Sequence, residues 1–133
     1  MTTSNIRRAG LALTATAALG AAAMTSFAAT SQATTPPVTR TVTAPAGEKL
    51  RFSATRLRAP AGRVTLKMTN RDDIAHNIAV RGPKLAKARV GKIVGTGKVS
   101  KVTATLPAGG YTFYCSVFGH ESGGMRGTLT VTR

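Results

Sequence analysis

Residues 111–131 have the sequence YTFYCSVFGHESGGMRGTLTV, and this stretch decides the fold. Its first part alternates, so that Tyr111, Phe113 and Cys115 share one face of a predicted strand. Apolar residues alternate again from Leu129, after a glycine-rich segment. The stretch therefore predicts two half-buried strands joined by a loop.

The loop carries side chains that bind metal ions. Cys115, the only cysteine of the chain, ends the first strand, and His120 and Met125 follow on the loop. Thiolate, imidazole and thioether donors suit copper better than calcium or magnesium, which prefer oxygen. The only other histidine, His76, could supply a fourth ligand. Two histidines, a cysteine and a weak axial methionine are the ligands of a blue-copper electron-transfer centre.

Each candidate ligand also has a purely structural explanation. A cysteine on the inward face of a strand is usually a small buried hydrophobe, and a methionine usually fills the core. His76 could be a buried, hydrogen-bonded histidine, and His120 an ordinary loop residue. We favour the metal site because three of the four candidates fall within residues 115–125. A sandwich can also bring strand ends and loops to one pole.

The rest of the chain is typical of β structure, with short runs of Val, Thr and Ile punctuated by Gly and Pro. Predicted strands cover residues 38–43, 50–54, 64–69, 76–80 and 99–106, with a turn at 60–62. Residues 81–97 are predicted to be irregular, with room for a helical turn at 84–89. Counting the C-terminal pair, about seven strands in roughly 100 residues indicate an antiparallel β-sandwich.

The first segment has the layout of an export signal. Arg7 and Arg8 precede a small apolar run, and small residues up to Ala33 offer a cleavage point. The predicted organisation is a signal peptide (1–33), a short linker (34–39) and one domain (40–133). The apolar run is too short for a spanning helix of about 20 residues, so we expect no transmembrane segment in the mature form. The expected location is periplasmic, cell-wall-associated or secreted.

The chain is strongly basic. It has 19 Lys and Arg against four acidic residues, a formal net charge of +15, and a signal peptide would remove Arg7 and Arg8. This balance favours anionic partners, but export and few aromatic residues argue against nucleic acid. One cysteine excludes an internal disulfide, and a lone thiol in an oxidising compartment needs burial or a metal.

Two segments of the chain together resemble cupredoxins of the plastocyanin and azurin group. The downstream segment is LPAGGYTFYCSVFGHESGGMRG, residues 106–127, with the spacing Cys-x4-His-x4-Met. The upstream segment contains Asn70, the pair His76-Asn77, and Val80. The resemblance covers residues 40–132 and implies an all-β fold, an antiparallel Greek-key β-sandwich of seven to eight strands.

The resemblance also implies one copper ion per chain, cycling between Cu(II) and Cu(I). His76, Cys115 and His120 would bind it strongly, and Met125 weakly. The side chain of Asn77 would tie the two ligand segments together, with its backbone amide near the sulfur of Cys115. We expect no enzyme, because four protein ligands leave little room for substrate. A multicopper oxidase or a nitrite reductase would need more than the two histidines present.

A basic run follows the first histidine. Four of its residues are predicted to belong to a docking surface for a partner protein: Lys84, Lys87, Arg89 and Lys92. Together with Phe118, in an apolar rim beside His120, they could dock an acidic redox partner. The alternative is a solvated loop face that keeps the protein soluble.

The preferred function is a monomeric one-electron carrier between redox proteins. The first alternative is a copper carrier or store that binds the metal without redox turnover. The second is a metal-free basic binding module on the same fold, whose partner binding would survive Cys115→Ser.

Overall fold

A computed structural model describes residues 35–47 and 49–133 of the chain. This part of the chain contains eight strands. The strands are β1 (Val38–Ala44), β2 (Arg56–Pro60), β3 (Gly62–Asn70), β4 (Ala79–Arg81), β5 (Arg89–Val90), β6 (Val99–Leu106), β7 (Gly109–Tyr114) and β8 (Arg126–Thr132). The predicted signal peptide, residues 1–33, lies outside the described residues. β1 already begins at Val38, within the segment predicted to be a linker. In the described ranges we find no helix with the length and hydropathy needed to span a membrane.

The strands form two sheets. The order is β1-β3-β6 in the three-stranded sheet and β2-β8-β7-β4-β5 in the five-stranded sheet. The prediction of an all-β sandwich is therefore confirmed. Its strand directions are mixed, because β1 pairs with β3, and β2 with β8, in parallel. The sequence could not show this, since side chains alternate with a period of two in both kinds of pair.

The core lies between the sheets and is built from alternate residues of each strand. Val64, Leu66 and Met68 of β3 are all buried, as are Tyr111 and Phe113 of β7. The predicted strands 64–69 and 99–106 lie within β3 and coincide with β6. The buried alternating residues of β3 and β7 thus fix the position of β7 in the sandwich. Cys115 directly follows β7 and begins the ligand loop.

The prediction of a strand over residues 50–54 is wrong. These residues form bends, and the strand of this region is β2, which starts at residue 56. Phe52 is still only 2% exposed, and its ring centroid lies 5.4 Å from that of Phe113. Alternation at 50–54 therefore reflects burial of single side chains. β2 was missed because its arginines and Pro60 do not give the pattern of a typical strand. Such a composition is tolerated because β2 lies at the edge of its sheet.

The predicted strand 76–80 is also wrong over its first half. Strand β4 covers only Ala79–Arg81, and His76 makes an isolated two-way backbone bridge with Val94. Residues 76–80 are buried on both faces, because Asn77 is as buried as His76. Residues 84–89 contain no helical turn either. A turn closed by the Leu85 N–H and the Gly82 C=O leads instead into the short strand β5.

Candidate metal centre

Three candidate ligands converge just beyond the end of β7. Nδ1 of His76 lies 3.1 Å from Nδ1 of His120 and 3.9 Å from Sγ of Cys115. The third side of this triangle, from Cys115 Sγ to His120 Nδ1, is 3.6 Å. Among the described residues, these three form the group with metal-binding separations. His76 and Cys115 are 39 residues apart, so the folded chain is what brings them together.

The size of the triangle fits one metal ion. A point in its plane equidistant from the three atoms lies about 2.1 Å from each, close to the bonds of about 2.0–2.3 Å that transition metals make to nitrogen and sulfur. Lone-pair donors at such separations repel one another unless a proton or a cation lies between them. One metal ion could take the place of such a proton and bind all three donor atoms.

His76 presents the correct nitrogen to this site. Its Nε2 lies 3.0 Å from Oδ2 of Asp72, and both side chains are fully buried. A proton on Nε2 satisfies the carboxylate, which leaves the lone pair of Nδ1 directed at His120 and Cys115. In that tautomer, Nδ1 of His76 is free to bind a metal ion.

Cys115 is a buried thiol when no metal is bound. Burial raises the pKa of Cys115, and hydrogen bonds from the backbone N–H groups of Asn77 and Val117 partly oppose this effect. The Asn77 N–H lies 3.4 Å from Sγ. Metal binding must therefore displace a proton from this sulfur.

His120 lies on a loop with regular backbone bonds. Its N–H donates to the Val117 C=O at 3.0 Å, and its own C=O accepts the Met125 N–H at 2.9 Å. Burial is the main cause that lowers the pKa of His120, the electrostatic interaction with the nearby His76 ring adds to it, and the carboxylate of Asp72 opposes both. A low pKa keeps the imidazole neutral and able to bind a metal.

Met125 is fully buried next to this loop. Its C=O accepts the Cys115 N–H at 3.0 Å, so the two residues lie side by side where β7 and β8 meet the loop. A thioether is a soft donor, which makes the set more suitable for copper than for zinc. The four residues fit the ligand set of a type 1 copper site.

Asn77 connects three segments around the site. Its Oδ1 accepts the backbone N–H of Ser116 at 2.8 Å, and its Nδ2 donates to Ser116 Oγ and to the Gly91 C=O, both at 2.8 Å. The side chain is fully buried. It holds the residue after Cys115 against the segment that follows β5, so the ligand loop cannot shift without breaking these bonds.

Asp72 was not among the candidate site residues singled out from the sequence. A local signal was present, because Asp72 lies four residues before His76. Turn chemistry explains an aspartate there equally well, so the pairing emerges only from the fold.

The predicted docking residues occupy different places. Phe118 is completely exposed on the ligand loop, two residues before His120. The C=O of Lys92 accepts the Ser100 hydroxyl, next to the segment that pairs with His76. Lys84 instead donates to the Ala108 C=O at the start of β7. β7 is about 17 Å long, so Lys84 lies near the opposite end of the sheet from Cys115.

The edge of the ligand loop carries two arginines that the docking prediction omitted. A groove of about 610 Å³ is lined by Phe118, Arg81 and Arg126, among others. The guanidinium of Arg81 pairs with Glu121 and lies 4.4 Å from the ring centroid of Tyr114. These residues come from β4 and β8, and only strand pairing brings them to the loop.

A family model described as "Cupredoxin-like domain" matches residues 15–131 of the chain. The structure resembles auracyanin A, a "blue" copper protein from the green thermophilic photosynthetic bacterium Chloroflexus aurantiacus. The identity is 28% over 73% of this chain and 100% of that chain, with a TM-score of 0.61. No curated protein matches the chain significantly.

Two further solved structures share the fold. Auracyanin from the photosynthetic bacterium Roseiflexus castenholzii is 24% identical over 71% of this chain and 97% of that chain, with a TM-score of 0.61. An azurin from the obligate methylotroph Methylomonas sp. strain J is 21% identical over 71% of this chain and 98% of that chain, with a TM-score of 0.58. At these identities, the likeness concerns the fold alone.

Proposed function

Because the chain belongs to the cupredoxin-like family, we propose that it is an exported type 1 copper protein that carries single electrons between redox partners. The observation that supports this most is the triangle of His76, Cys115 and His120, whose donor atoms all lie at bonding distance from one point. Copper bound there would supply a couple between Cu(II) and Cu(I). Auracyanin A, a blue copper protein, has the same fold.

The surrounding residues hold the donors in place independently of a metal. Asp72 bonds to His76, Asn77 bonds to Ser116, and Met125 exchanges backbone bonds with the loop. A site fixed in this way changes little in geometry when the charge at its centre changes by one unit. Small rearrangement is what fast electron exchange requires, so the framework suits a carrier better than an enzyme.

The partner would approach at His120. His76, Cys115 and Met125 are fully buried, whereas His120 is only partly buried and Phe118 beside it is completely exposed. An exposed apolar residue in a groove that is also lined by Arg81 and Arg126 suits a partner with an acidic docking surface. Arg126 lines the same groove as Phe118, whereas Lys84 lies near the far end of β7.

Copper addition to the purified protein tests the proposal. Cu(II) should produce an intense visible band from thiolate-to-copper charge transfer, and reduction should bleach the band reversibly. Cys115→Ser should abolish it. Met125→Leu should alter the band and the reduction potential, whereas Met68→Leu should leave both unchanged, since Met68 is equally buried but lies in β3.

An absent thiolate band in the wild-type protein would contradict the blue-copper assignment. If the protein instead bound Cu(I) without colour and released it to a chelator, the copper carrier or store would replace the electron carrier. Both outcomes are readable from the same sample by visible and EPR spectroscopy.

A further inference from the structure

We propose that Asp72 is a positioning residue of the metal centre, an inference that rests on the proposed function. Its carboxylate holds His76 in the tautomer that presents Nδ1 to the metal. Its buried negative charge also favours the more highly charged oxidation state. The residue therefore lowers the reduction potential of the site.

The first observation is the contact between Asp72 and His76. Their side chains meet through Oδ2 and Nε2 at 3.0 Å, and neither side chain is exposed to solvent. A single proton must lie between these two atoms. If it is on Nε2, the other ring nitrogen carries a lone pair that faces Cys115 and His120. If it is on the carboxyl group, Nε2 accepts the bond and the ring's own proton is on Nδ1. In that form, Nδ1 cannot bind a metal ion.

The second observation is that Asp72 is itself fixed. Its Oδ1 accepts the Asp73 N–H at 3.0 Å, its N–H donates to Asn70 Oδ1 at 2.9 Å, and its C=O accepts the Thr96 hydroxyl at 2.7 Å. Oδ1 is thus held as an acceptor, which directs the other oxygen, Oδ2, at Nε2 of His76. Asn70 is anchored in turn, since its Nδ2 donates to the Val94 C=O.

A carboxylate behind a histidine ligand differs from a neutral acceptor in two respects. Both orient the ring, but a carboxylate also makes the imidazole a stronger donor. Its charge acts in a buried region, where electrostatic interactions are weakly screened. Cu(II) carries one more positive charge than Cu(I), so a nearby anion stabilises Cu(II) more. A residue that only caps the turn would have no such effect.

The variants Asp72→Asn and Asp73→Asn separate these roles. An asparagine at position 72 has one acceptor oxygen, which can keep the Nε2–H bond at the cost of the bond from the Asp73 N–H, so it removes the charge and keeps the orientation of the ring. Asp73→Asn makes the same change of charge at the next residue, whose side chain is exposed. We expect Asp72→Asn to lower the ratio of Cu(II) to Cu(I) affinity about tenfold, a rise of about 59 mV in potential. Asp73→Asn should change the ratio less than about threefold, because solvent screens its charge.

Spectroelectrochemical titration of the three copper-loaded proteins gives these potentials. Equal shifts in the two variants, or no shift in either, would overturn the inference and leave Asp72 with a turn-capping role. A rise confined to Asp72→Asn supports it.

Nitrogen NMR of His76 in the metal-free wild-type protein provides a second test, which needs neither copper nor a variant that folds. A proton on Nε2 supports the positioning role, and a proton on Nδ1 overturns it. A wild-type protein with the Nε2 proton but without a thiolate–copper band would contradict the proposed function while supporting the Asp72–His76 pairing.

Discussion

Gly127 is a single residue whose lack of a side chain is needed for the packing next to the ligand loop. It lies in β8, two residues after Met125, and a Cβ atom at this position would overlap the ring of Phe113 and lie 2.6 Å from the Thr55 C=O. Phe113 is fully buried and lies two residues before Cys115. Any shift of its ring is therefore passed on to the strand that carries the thiol.

We expect Gly127→Ala to lower the free energy of unfolding by about 1–3 kcal/mol, the usual penalty for overpacking a core. Urea denaturation of the metal-free protein measures the change. Gly95→Ala is the matched control, because a Cβ at Gly95 has no atom within 4 Å. It should be neutral or stabilise the protein by about 0.4–1 kcal/mol through the unfolded chain. If the two variants unfolded at the same urea concentration, the Phe113 ring would have to move aside without any loss of stability, which would contradict the prediction.

Among single residues, the candidate ligands were the easiest to identify from the sequence, because cysteine and histidine are rare in this chain. A single cysteine and two histidines leave few combinations, so His76, Cys115 and His120 could be nominated from chemistry alone, and the structure brings them together. Asp72 could not be nominated, because an aspartate in a turn already has a local explanation. Its contact with His76 requires both side chains to be buried although residues 73–75 between them are exposed or only partly buried, which no pattern of residues 70–76 reveals.

Among the elements, the ligand loop between β7 and β8 has an ordered backbone. The Gly123 N–H donates to the Gly119 C=O, and the Gly124 N–H donates to the Glu121 C=O. The side chain of Glu121 pairs with Arg81 at the end of β4. Hydrogen bonding to Arg81 is the main cause that lowers the pKa of Glu121 below its usual value. The ion pair thus fastens the loop to the strand that follows Asn77.

This ion pair predicts a pH dependence. Glu121 has a lower pKa in the folded protein than in the unfolded chain, so its contribution to stability is complete above the unfolded value of about 4.3. The contribution is lost as the pH falls through the folded value. Both partners are partly exposed, so we expect less than about 1 kcal/mol.

The free energy of unfolding of Glu121→Gln, measured between pH 7 and pH 3 against the wild type, tests this assignment. The difference should be largest at neutral pH and vanish at acid pH. Asp73→Asn is a suitable control, since it also removes one exposed carboxylate but lies outside the loop. A difference for Glu121→Gln that grew as the pH fell would contradict the assignment.

Element predictions succeeded for strands of six or more residues and failed for shorter ones. β3 and β6 are nine and eight residues long, and both were located. β5 has two residues, and β4 has three, too few for a period to be recognised. The alternating residues 50–54 bury Phe52 without joining a sheet, because burial of a side chain does not require a strand partner.

For the whole molecule, excess positive charge should determine how reagents and partners approach. Electron exchange of the copper-loaded protein with an anionic reagent, ferrocyanide, should slow as ionic strength rises. Exchange with a cationic reagent, hexaammineruthenium, should accelerate, because salt screens the repulsion. Stopped-flow kinetics at several salt concentrations measure both slopes. Rates that did not depend on salt for either reagent would contradict electrostatic steering.

Two lysines of the predicted docking surface can show whether the charges near the metal site, or only the net charge of the protein, steer the anionic reagent. Lys92 lies beside the segment that pairs with His76, and Lys84 lies near the far end of β7. Lys92→Gln should therefore reduce the salt slope with ferrocyanide more than Lys84→Gln does, although each removes one charge. Equal effects would mean that only net charge matters.

The class of architecture followed from the number and spacing of strands, but their pairing did not. The two parallel pairs, β1 with β3 and β2 with β8, join strands whose order depends on contacts across the whole sandwich. The bridge between His76 and Val94 is a further pairing that no residue pattern predicted.

The division of the ligands between two segments couples metal affinity to unfolding. Cys115 and His120 are five residues apart and stay near one another even in a disordered chain, whereas His76 joins them only through the folded sandwich. A metal ion therefore finds three close donors in the native protein and a two-donor chelate in the denatured one. Part of the binding free energy is then a contribution to native stability. The ion would act as a removable cross-link closing a ring from His76 to Cys115, so that heating should open the ring and strip the metal in one cooperative event.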